Sequence, residues 1–437
     1  MSLIDEILSK ENISKAVDRV VSNKGAPGVD RMPVQEVRSY IETHYEVICD
    51  EIRNMRYQPE LVRRVYIPKR NGSKRPLGIP TVVDRVIQQA VAQVFSEIYE
   101  PEFLDRSYGF RPGRSAHDAM KQAVAYLNEG YTWVIDLDIA KFFDTVNHDK
   151  LISLLRLKIN EKPVLHLVRQ FLKAGILENG IIHDNELGTP QGGPLSPVLA
   201  NIYLNEFDRE LARRGLRSVR YADDCDIFVK SRRSAERVKE SVSRWLEDKL
   251  FLKVNMEKTK VVRPSKSVFL GFNFYYAPWR KQWSCRPSDD AKKRLKDCIR
   301  AVLVRKRAVA QPMDKVFLTL NQKIQGWINY YSIGYMKTFM TEIGMWLRHK
   351  VRVLYLKIWK RPKTIYRNLT KLNKFYGCGF SAERIRITAN SRLGLWRSST
   401  GDVVNFCIPP KFLNTNNHNR RGLVDPLHYY LSTNRVL

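Results

Sequence analysis

Residues 219–229 confine the chain most tightly: they read as an apolar strand, a tight break and a second apolar strand, with Tyr221-Ala222-Asp223-Asp224 where the chain must reverse. Successive side chains of a strand point to opposite faces, so two neighbouring carboxylates converge on one point only where a hairpin turn breaks the alternation. A lone Asp-Asp pair is most often a solvated turn, and its weight comes from its company. Upstream, Trp133-Val134-Ile135-Asp136-Leu137-Asp138 alternates apolar and acidic residues, which places Asp136 and Asp138 on one face, and it then enters Ile139-Ala140-Lys141-Phe142-Phe143-Asp144. Between the two lies Gly188-Thr189-Pro190-Gln191-Gly192-Gly193-Pro194-Leu195-Ser196-Pro197. Its glycines and prolines predict a turn leading into a helix over 198–211, with Ser196 as N-cap and Pro197 as first residue.

Further segments sharpen the pattern. They are Asn23-Lys24-Gly25-Ala26-Pro27-Gly28-Val29-Asp30, Ile67-Pro68-Lys69 through Arg75-Pro76-Leu77-Gly78-Ile79-Pro80, and Tyr108-Gly109-Phe110-Arg111-Pro112-Gly113-Arg114-Ser115-Ala116-His117-Asp118. Phe269-Leu270-Gly271-Phe272 and Gly326-Trp327-Ile328-Asn329-Tyr330-Tyr331 complete the series. In this order, over nearly the whole chain, they resemble the reverse transcriptase encoded by bacterial group II introns, also called the intron maturase.

That resemblance implies an RNA-directed DNA polymerase that also binds its host intron RNA and assists splicing and retrohoming. Hard divalent cations take carboxylate oxygens, and the family's catalytic set falls here on Asp138, Asp223 and Asp224. Two Mg²⁺ ions, with Mn²⁺ as a substitute, are expected at these residues and at the Ile139 backbone carbonyl; Asp136, Asp144 and Asp226 are read as structural. Phe143 matches the family's aromatic beneath the incoming sugar, where a 2′-hydroxyl clashes, so dNTPs are the expected substrates and Phe142 is the core residue. Lys69 and Arg75 flank a turn at Asn71-Gly72 and are expected to clamp the triphosphate, with Arg63 a further candidate. Gln191 and the glycines after it fit a close approach of backbone to a base pair and sugar. Lys258, in Asn255-Met256-Glu257-Lys258-Thr259-Lys260, matches a block associated with protonating the departing pyrophosphate. Lys24, Arg111 and Arg114 are candidates for template or RNA phosphates; Ser115 and Asp118 resemble a capping box that starts a helix.

Charge points the same way independently. The chain carries 75 Lys+Arg against 45 Asp+Glu, a formal +30, which implies a polyanionic partner. Residues 280–437 hold 32 basic and 8 acidic side chains, hence +24, whereas residues 1–279 hold 43 and 37, hence +6. Trp327, Tyr330, Tyr331, Trp346, Tyr355, Trp359 and Tyr366 are interleaved with those C-terminal cations, as in surfaces that bind phosphates and stack bases. Helical core is the plainer reading for most of these aromatics, and the charge excess stands without them. The six cysteines are scattered without a Cys-x-x-Cys pair, so neither a disulfide framework nor a zinc ribbon is suggested. No signal peptide or membrane span is evident, and a bacterial cytoplasm is the expected location.

The predicted fold is α+β, a right-hand polymerase with fingers and an antiparallel palm sheet, an α-helical thumb and a small basic C-terminal domain. Expected boundaries are an N-terminal extension over 1–60 with an amphipathic helix at 3–21, fingers and palm over 61–280, thumb over 281–360 and a DNA-binding region over 361–437. Apolar spacing at Leu295, Ile299, Val302 and at Val316, Leu320, Ile324, Trp327 predicts thumb helices, and Lys360-Arg361-Pro362-Lys363 a break after them. Some relatives end in a zinc-stabilised His-Asn-His endonuclease. No such cysteines occur here, so priming from DNA ends already present is the expectation. The expected partners are RNA template and primer, intron RNA, target DNA and dNTPs, with no membrane and no protein partner. Two other readings share the fold: a non-enzymatic splicing cofactor, and a domesticated reverse transcriptase of defence or repair.

Overall fold

The computed structural model describes residues 2–68, 72, 74–178, 180–183, 185, 187–189, 192–414, 422–433 and 435–436, with the backbone alone at 75. The expected triphosphate residues Lys69 and Arg75 (its side chain), Asn71 of the expected turn and Gln191 lie outside these described residues.

Residues 1–267 form one compact unit and residues 268–437 a second. Among the described residues eight strands belong to the first: β1 (Val62–Pro68), β2 (Lys74–Ile79), β3 (Trp133–Asp138), β4 (Ile176–Glu178), β5 (Ile181–His183), β6 (Arg217–Tyr221), β7 (Asp224–Val229) and β8 (Lys260–Val262). One sheet runs β2-β1-β4-β5, with β1 and β4 parallel and the other pairs antiparallel. The other runs β6-β7-β3-β8, antiparallel throughout. β7 is interior to that sheet, so Cys225, Ile227, Phe228 and Val229 are all buried, the near-continuous apolar run that a strand with both faces covered requires. Helices Ser196–Arg213 and Arg232–Leu250 add Leu199, Tyr203, Phe207, Val242 and Leu246 to the same core.

The helix expected over 198–211 thus starts two residues earlier, with Leu195 at the N-cap position, and Ser196 is buried in the first turn rather than capping it. The single helix expected at 3–21 is two, Leu3–Leu8 and Lys10–Ser22. Ser9 breaks it: its backbone is extended and its hydroxyl accepts the Asn12 N–H at 3.2 Å, capping the second helix. That helix is anchored to the Val82–Tyr99 helix, which is buried on nearly every side, through Asn12 Nδ2 on the Ala90 carbonyl at 3.1 Å and Gln93 Nε2 on Asn12 Oδ1 at 2.5 Å.

The second unit opens with β9 (Val268–Phe269), β10 (Phe272–Ala277) and β11 (Gln282–Pro287), and continues in helices Asp289–Val302, Met313–Tyr331 and Lys337–Trp359. Leu295, Ile299, Val316, Leu320 and Ile324 are buried along the predicted stripes. The Trp327 indole N–H donates to the Ala291 carbonyl at 3.2 Å. Lys360 takes a positive φ of 57° and Pro362 starts the next helix, Pro362–Tyr376, so the predicted break is a tight turn between two helices.

Asp84, in the first turn of the Val82–Tyr99 helix, is buried and accepts from Thr81 Oγ1 at 2.6 Å, Tyr57 Oη at 2.8 Å and the Glu60 N–H at 3.2 Å. Burial pushes its carboxyl up to about 6 against these hydrogen bonds. The unfolded carboxyl titrates near 4, so the folded state binds the extra proton, and this group's contribution is lost as pH rises from about 4 through about 6. Asp84→Asn removes that loss: between pH 4 and 7 its unfolding free energy is expected to rise by up to about 3 kcal/mol relative to wild type in denaturant titrations.

Candidate active site

The β3–β7 register places Asp138 directly opposite Asp224, and Asp136 opposite Asp226. Ala222 turns the chain between β6 and β7 with φ +59°, a left-handed conformation that costs a residue with a Cβ roughly 1–2 kcal/mol. The turn interrupts strand alternation and brings Asp223 beside Asp224, as the hairpin argument required. Asp138 is clasped by the 255–259 turn: its carbonyl accepts the Asn255 N–H at 2.8 Å and its N–H donates to Thr259 Oγ1 at 3.2 Å. The same turn presents Lys258, whose Nζ lies 3.2 Å from Asp138 Oδ2.

The electrostatics are those of crowded anions. Asp224 is open to solvent, yet its carboxyl is pushed up to about 6, first by partial withdrawal from water and then by Asp223, Asp136 and Asp138, with Lys258 opposing. Because the side chain is still accessible, the like-charge part of that shift is what a cation can relieve. Burial also raises Asp136, helped by Asp138, and holds the fully buried Asp226 well above the carboxylate range, with Ser267 opposing. Among the described residues no three His, Cys, Asp or Glu side chains are drawn together closely enough to cage a metal. The donor chemistry nevertheless fits hard divalent cations, and the Lys258 ammonium offsets part of the negative charge at Asp138.

A cavity of about 640 Å³ opens beside the turn, walled by Asp223, Phe143, Phe110, residues 192–194, 196 and 197, Arg85 and Gln89, with Asn23 and Gly25 of the N-terminal segment. Phe142 is buried and Phe143 half-buried against it, ring centroids 5.2 Å apart, so Phe142 is the core residue of the pair. The Phe143 segment is strapped from behind by the Thr189 N–H on the Phe143 carbonyl at 2.7 Å and by His148 Nε2 against the Gly188 carbonyl at 2.6 Å. Ile139 follows Asp138 with its side chain in the core. Lys24 is exposed at the rim, between the two lining residues Asn23 and Gly25. Arg63 is not among the residues lining this cavity; its neighbour Arg64 lines a second one of about 330 Å³ that shares Phe143.

Two expectations change. Arg111 does not face a template: it is buried, its Nε and Nη2 grip Glu100 Oε1 at 3.0 and 2.7 Å, and its Nη1 donates to the carbonyls of Leu104 and Ser107 at 2.7 and 2.8 Å. The sequence hid this because the acid partner lies eleven residues upstream in another turn. Arg114 pairs with Asp105 at 2.5 Å on the surface, and the Ser115–Asp118 capping box is formed. The glycines after Gln191 also have an internal reason: a Cβ at Gly192 falls 2.3 Å from the Gly78 carbonyl, and one at Gly193 falls 2.2 Å from Gln88 Oε1.

Sequence reasoning missed Arg85 and Arg220. Arg85 reaches the cavity wall while donating to the Ala26 carbonyl at 2.8 Å, its Nε buried without a partner among the described residues. Arg220 is buried in β6, directly behind the Asp223 turn. The legible signal was an arginine in the strand that leads into the Asp223 turn, since a buried guanidinium demands an acid partner.

Family models match in two places: "Reverse transcriptase (RNA-dependent DNA polymerase)" over residues 67–274 and "Group II intron, maturase-specific domain" over residues 292–375. Protein YkfC of Escherichia coli is 36% identical over 310 residues, covering 62% of this chain and 81% of that protein. The group II intron-encoded protein LtrA of Lactococcus lactis is 31% identical over 413 residues, covering 73% of this chain and 68% of that protein. A chain of a partial Cas6-RT-Cas1–Cas2 complex is similar over 57% of this chain and 43% of its own length, with 26% identity and a TM-score of 0.37.

Gly109 seats the turn. A Cβ there falls 2.3 Å from the Ala222 nitrogen and 2.9 Å from the Tyr221 carbonyl carbon, both backbone atoms that cannot swing aside. Gly109→Ala is therefore expected to displace the Asp223 turn and lower the primer-extension rate by about tenfold or more while RNA affinity stays near wild type. Single-turnover extension and filter binding, run in parallel, check both halves.

Proposed function

Because the chain belongs to the group II intron-encoded reverse transcriptases, RNA-directed DNA polymerases with a maturase segment serving intron splicing, we propose that it copies RNA into complementary DNA from dNTPs at the Asp138–Asp223–Asp224 cleft. The observation that carries this reading is the meeting of Asp223 and Phe143 on one cavity wall, with Asp224 opposite Asp138 in register. The family's divalent-metal dependence is assigned here to Mg²⁺, with Mn²⁺ as a substitute: Asp138, Asp223, Asp224 and the Ile139 carbonyl would hold two ions, which when bound would supply positive charge to the attacking 3′-hydroxyl and the departing pyrophosphate.

The remaining work falls to the chain itself. Asp138 and Asp223 hold the reacting oxygens' counter-charge in place, and Asp224 supports it from the opposite strand. Lys258, kept at the cleft by the 255–259 turn, gives the proton that pyrophosphate needs to leave. Phe143 lies where a sugar 2′-hydroxyl is excluded. Lys69, Arg75 and Gln191 receive the nucleotide, with Arg63 in support. Lys24 and Arg114 contact template or intron RNA; Arg111 is withdrawn from that set.

In this reading residues 1–60 are the N-terminal extension, 61–280 fingers and palm, 281–360 the thumb and 361–437 a DNA-binding region that engages target DNA. The basic C-terminal part supplies most of the attraction for intron RNA. A purely RNA-binding splicing role is disfavoured by the acids, because nothing in phosphate recognition favours several carboxylates facing a polyanion. No helix among the described residues is long and apolar enough to cross a membrane.

Primer extension on an RNA template with Mg²⁺ and dNTPs tests the reading. Asp223→Asn is expected to abolish extension and leave RNA affinity within about twofold, because the loss falls on the transition state alone; extension at the wild-type rate refutes the assignment. Phe143→Ala is expected to raise ribonucleotide incorporation, measured as the ratio of kcat/KM for dNTP and NTP, and an unchanged ratio removes the gate from Phe143.

A further inference from the structure

The Arg220 side chain is 1% exposed and so is that of its partner Asp208, on the Ser196–Arg213 helix. All five guanidinium donors are engaged. Nε lies 2.9 and 3.0 Å from the two Asp208 oxygens, and Nη2 donates to Asp208 Oδ2 at 2.6 Å and Ser107 Oγ at 2.7 Å. Nη1 donates to Asn201 Oδ1 at 3.1 Å and to the Ala222 carbonyl at 2.8 Å. That carbonyl belongs to the left-handed turn residue whose next peptide carries Asp223. From the other side Asn201 Nδ2 donates to the Gly109 carbonyl at 2.8 Å, and Gly109 packs against the Ala222 nitrogen. The 106–109 segment is in turn bonded to β6, through Arg220 N–H on the Arg106 carbonyl at 2.8 Å and Tyr108 N–H on the Arg220 carbonyl at 2.9 Å.

A fully desolvated ion pair is a costly way to join a helix to a strand, and an apolar pair often does as well. What apolar side chains cannot do is donate to a peptide carbonyl. We propose that Arg220, seated by Asp208 and Asn201, is a positioning residue of the polymerase reaction: its fork fixes the Ala222 peptide and thereby the aim of Asp223 and Asp224 into the cleft. The planar five-donor fork is what the geometry uses, so lysine is not an equivalent replacement. The proposal rests on the reading of Asp223 and Asp224 as catalytic.

The test measures steady-state primer extension and the half-saturating Mg²⁺ concentration for the full chain carrying Arg220→Lys, with thermal midpoint and RNA affinity read on the same samples. Expected are a kcat lower by about tenfold or more, a half-saturating Mg²⁺ raised by about fivefold, and a KM for dNTP and an RNA Kd each within about twofold of wild type. Leu211→Ala, fully buried on the same helix but outside this network, is the control for mere loosening of the core. If at a matched fall in thermal midpoint it lowers kcat and raises the Mg²⁺ requirement equally, the effect is structural and the proposal is overturned. Wild-type kcat and Mg²⁺ dependence in Arg220→Lys overturn it too. Should Arg220→Lys not fold, Asn201→Ser carries the same test, because it cuts the bonds to Nη1 and Gly109 without removing charge. Asp223→Asn is run beside them. Activity in that variant defeats the catalytic reading itself, whereas an inactive Asp223→Asn with a fully active Arg220→Lys defeats only the positioning role.

Discussion

Pairing β3 with β7 in the register that sets Asp138 opposite Asp224 necessarily sets Asp136 opposite Asp226 on the same face. Like charges directly across a strand pair repel, and this sheet stacks two such pairs. The conflict is graded along the strands. The inner acids, Asp136 and Asp226, are withdrawn from water and burial raises both, whereas Asp224 at the mouth is open to solvent and is raised to about 6. The outer pair stays at the mouth, where Lys258 offsets part of it and where a divalent cation gains most. One register choice therefore decides which carboxylates lie at the mouth of the cleft and which lie beneath it. It also gives a physical reason why Asp136, on the same face, is the poorer candidate ligand.

The turn that completes the set is held by backbone contacts as much as by side chains. Ala222 adopts a left-handed conformation without being glycine, so strain at that point must be over-determined by its surroundings. Gly109 fills the space against its nitrogen and Arg220 takes its carbonyl. Gly188 and Gly192 do comparable work on the facing wall, where a Cβ meets the Phe143 and Gly78 carbonyls at 2.6 and 2.3 Å. These glycines are spent on fitting the chain to itself, and the open cavity is what that close fit leaves over.

The parts legible in the sequence were those whose partners are local. Strand alternation and the Asp223 turn, the Ser115–Asp118 capping box, the buried stripe of the Met313–Tyr331 helix and the stop at Pro362 each depend on residues a few positions apart, and each forms. What escaped depended on distant partners. Arg111 reads as a surface cation until Glu100 and three backbone carbonyls close around it. Arg220 carries no local mark of Asp208, twelve residues upstream on a helix, or of Ser107, 113 residues upstream in a loop. The split at Ser9 was locally encoded yet missed, because an amphipathic stripe continues across it and outweighs one serine in a periodicity argument.

Charge is apportioned in a way that suits the chemistry. Residues 268–279 carry no charged side chain, so the sequence's division into +6 and +24 coincides with the two compact units. The unit with the carboxylates is nearly balanced, and the other holds most of the excess. Phosphate attraction through counterion release scales with the number of cations engaged and fades with salt. An acid cluster that must accept a polyanion beside it needs that attraction, but placed in its own unit such a field would compete with divalent ions for the carboxylates, as Lys258 does at Asp138. The excess is therefore encoded on elements other than those that carry the carboxylates, so the two charges are set by separate stretches of the chain.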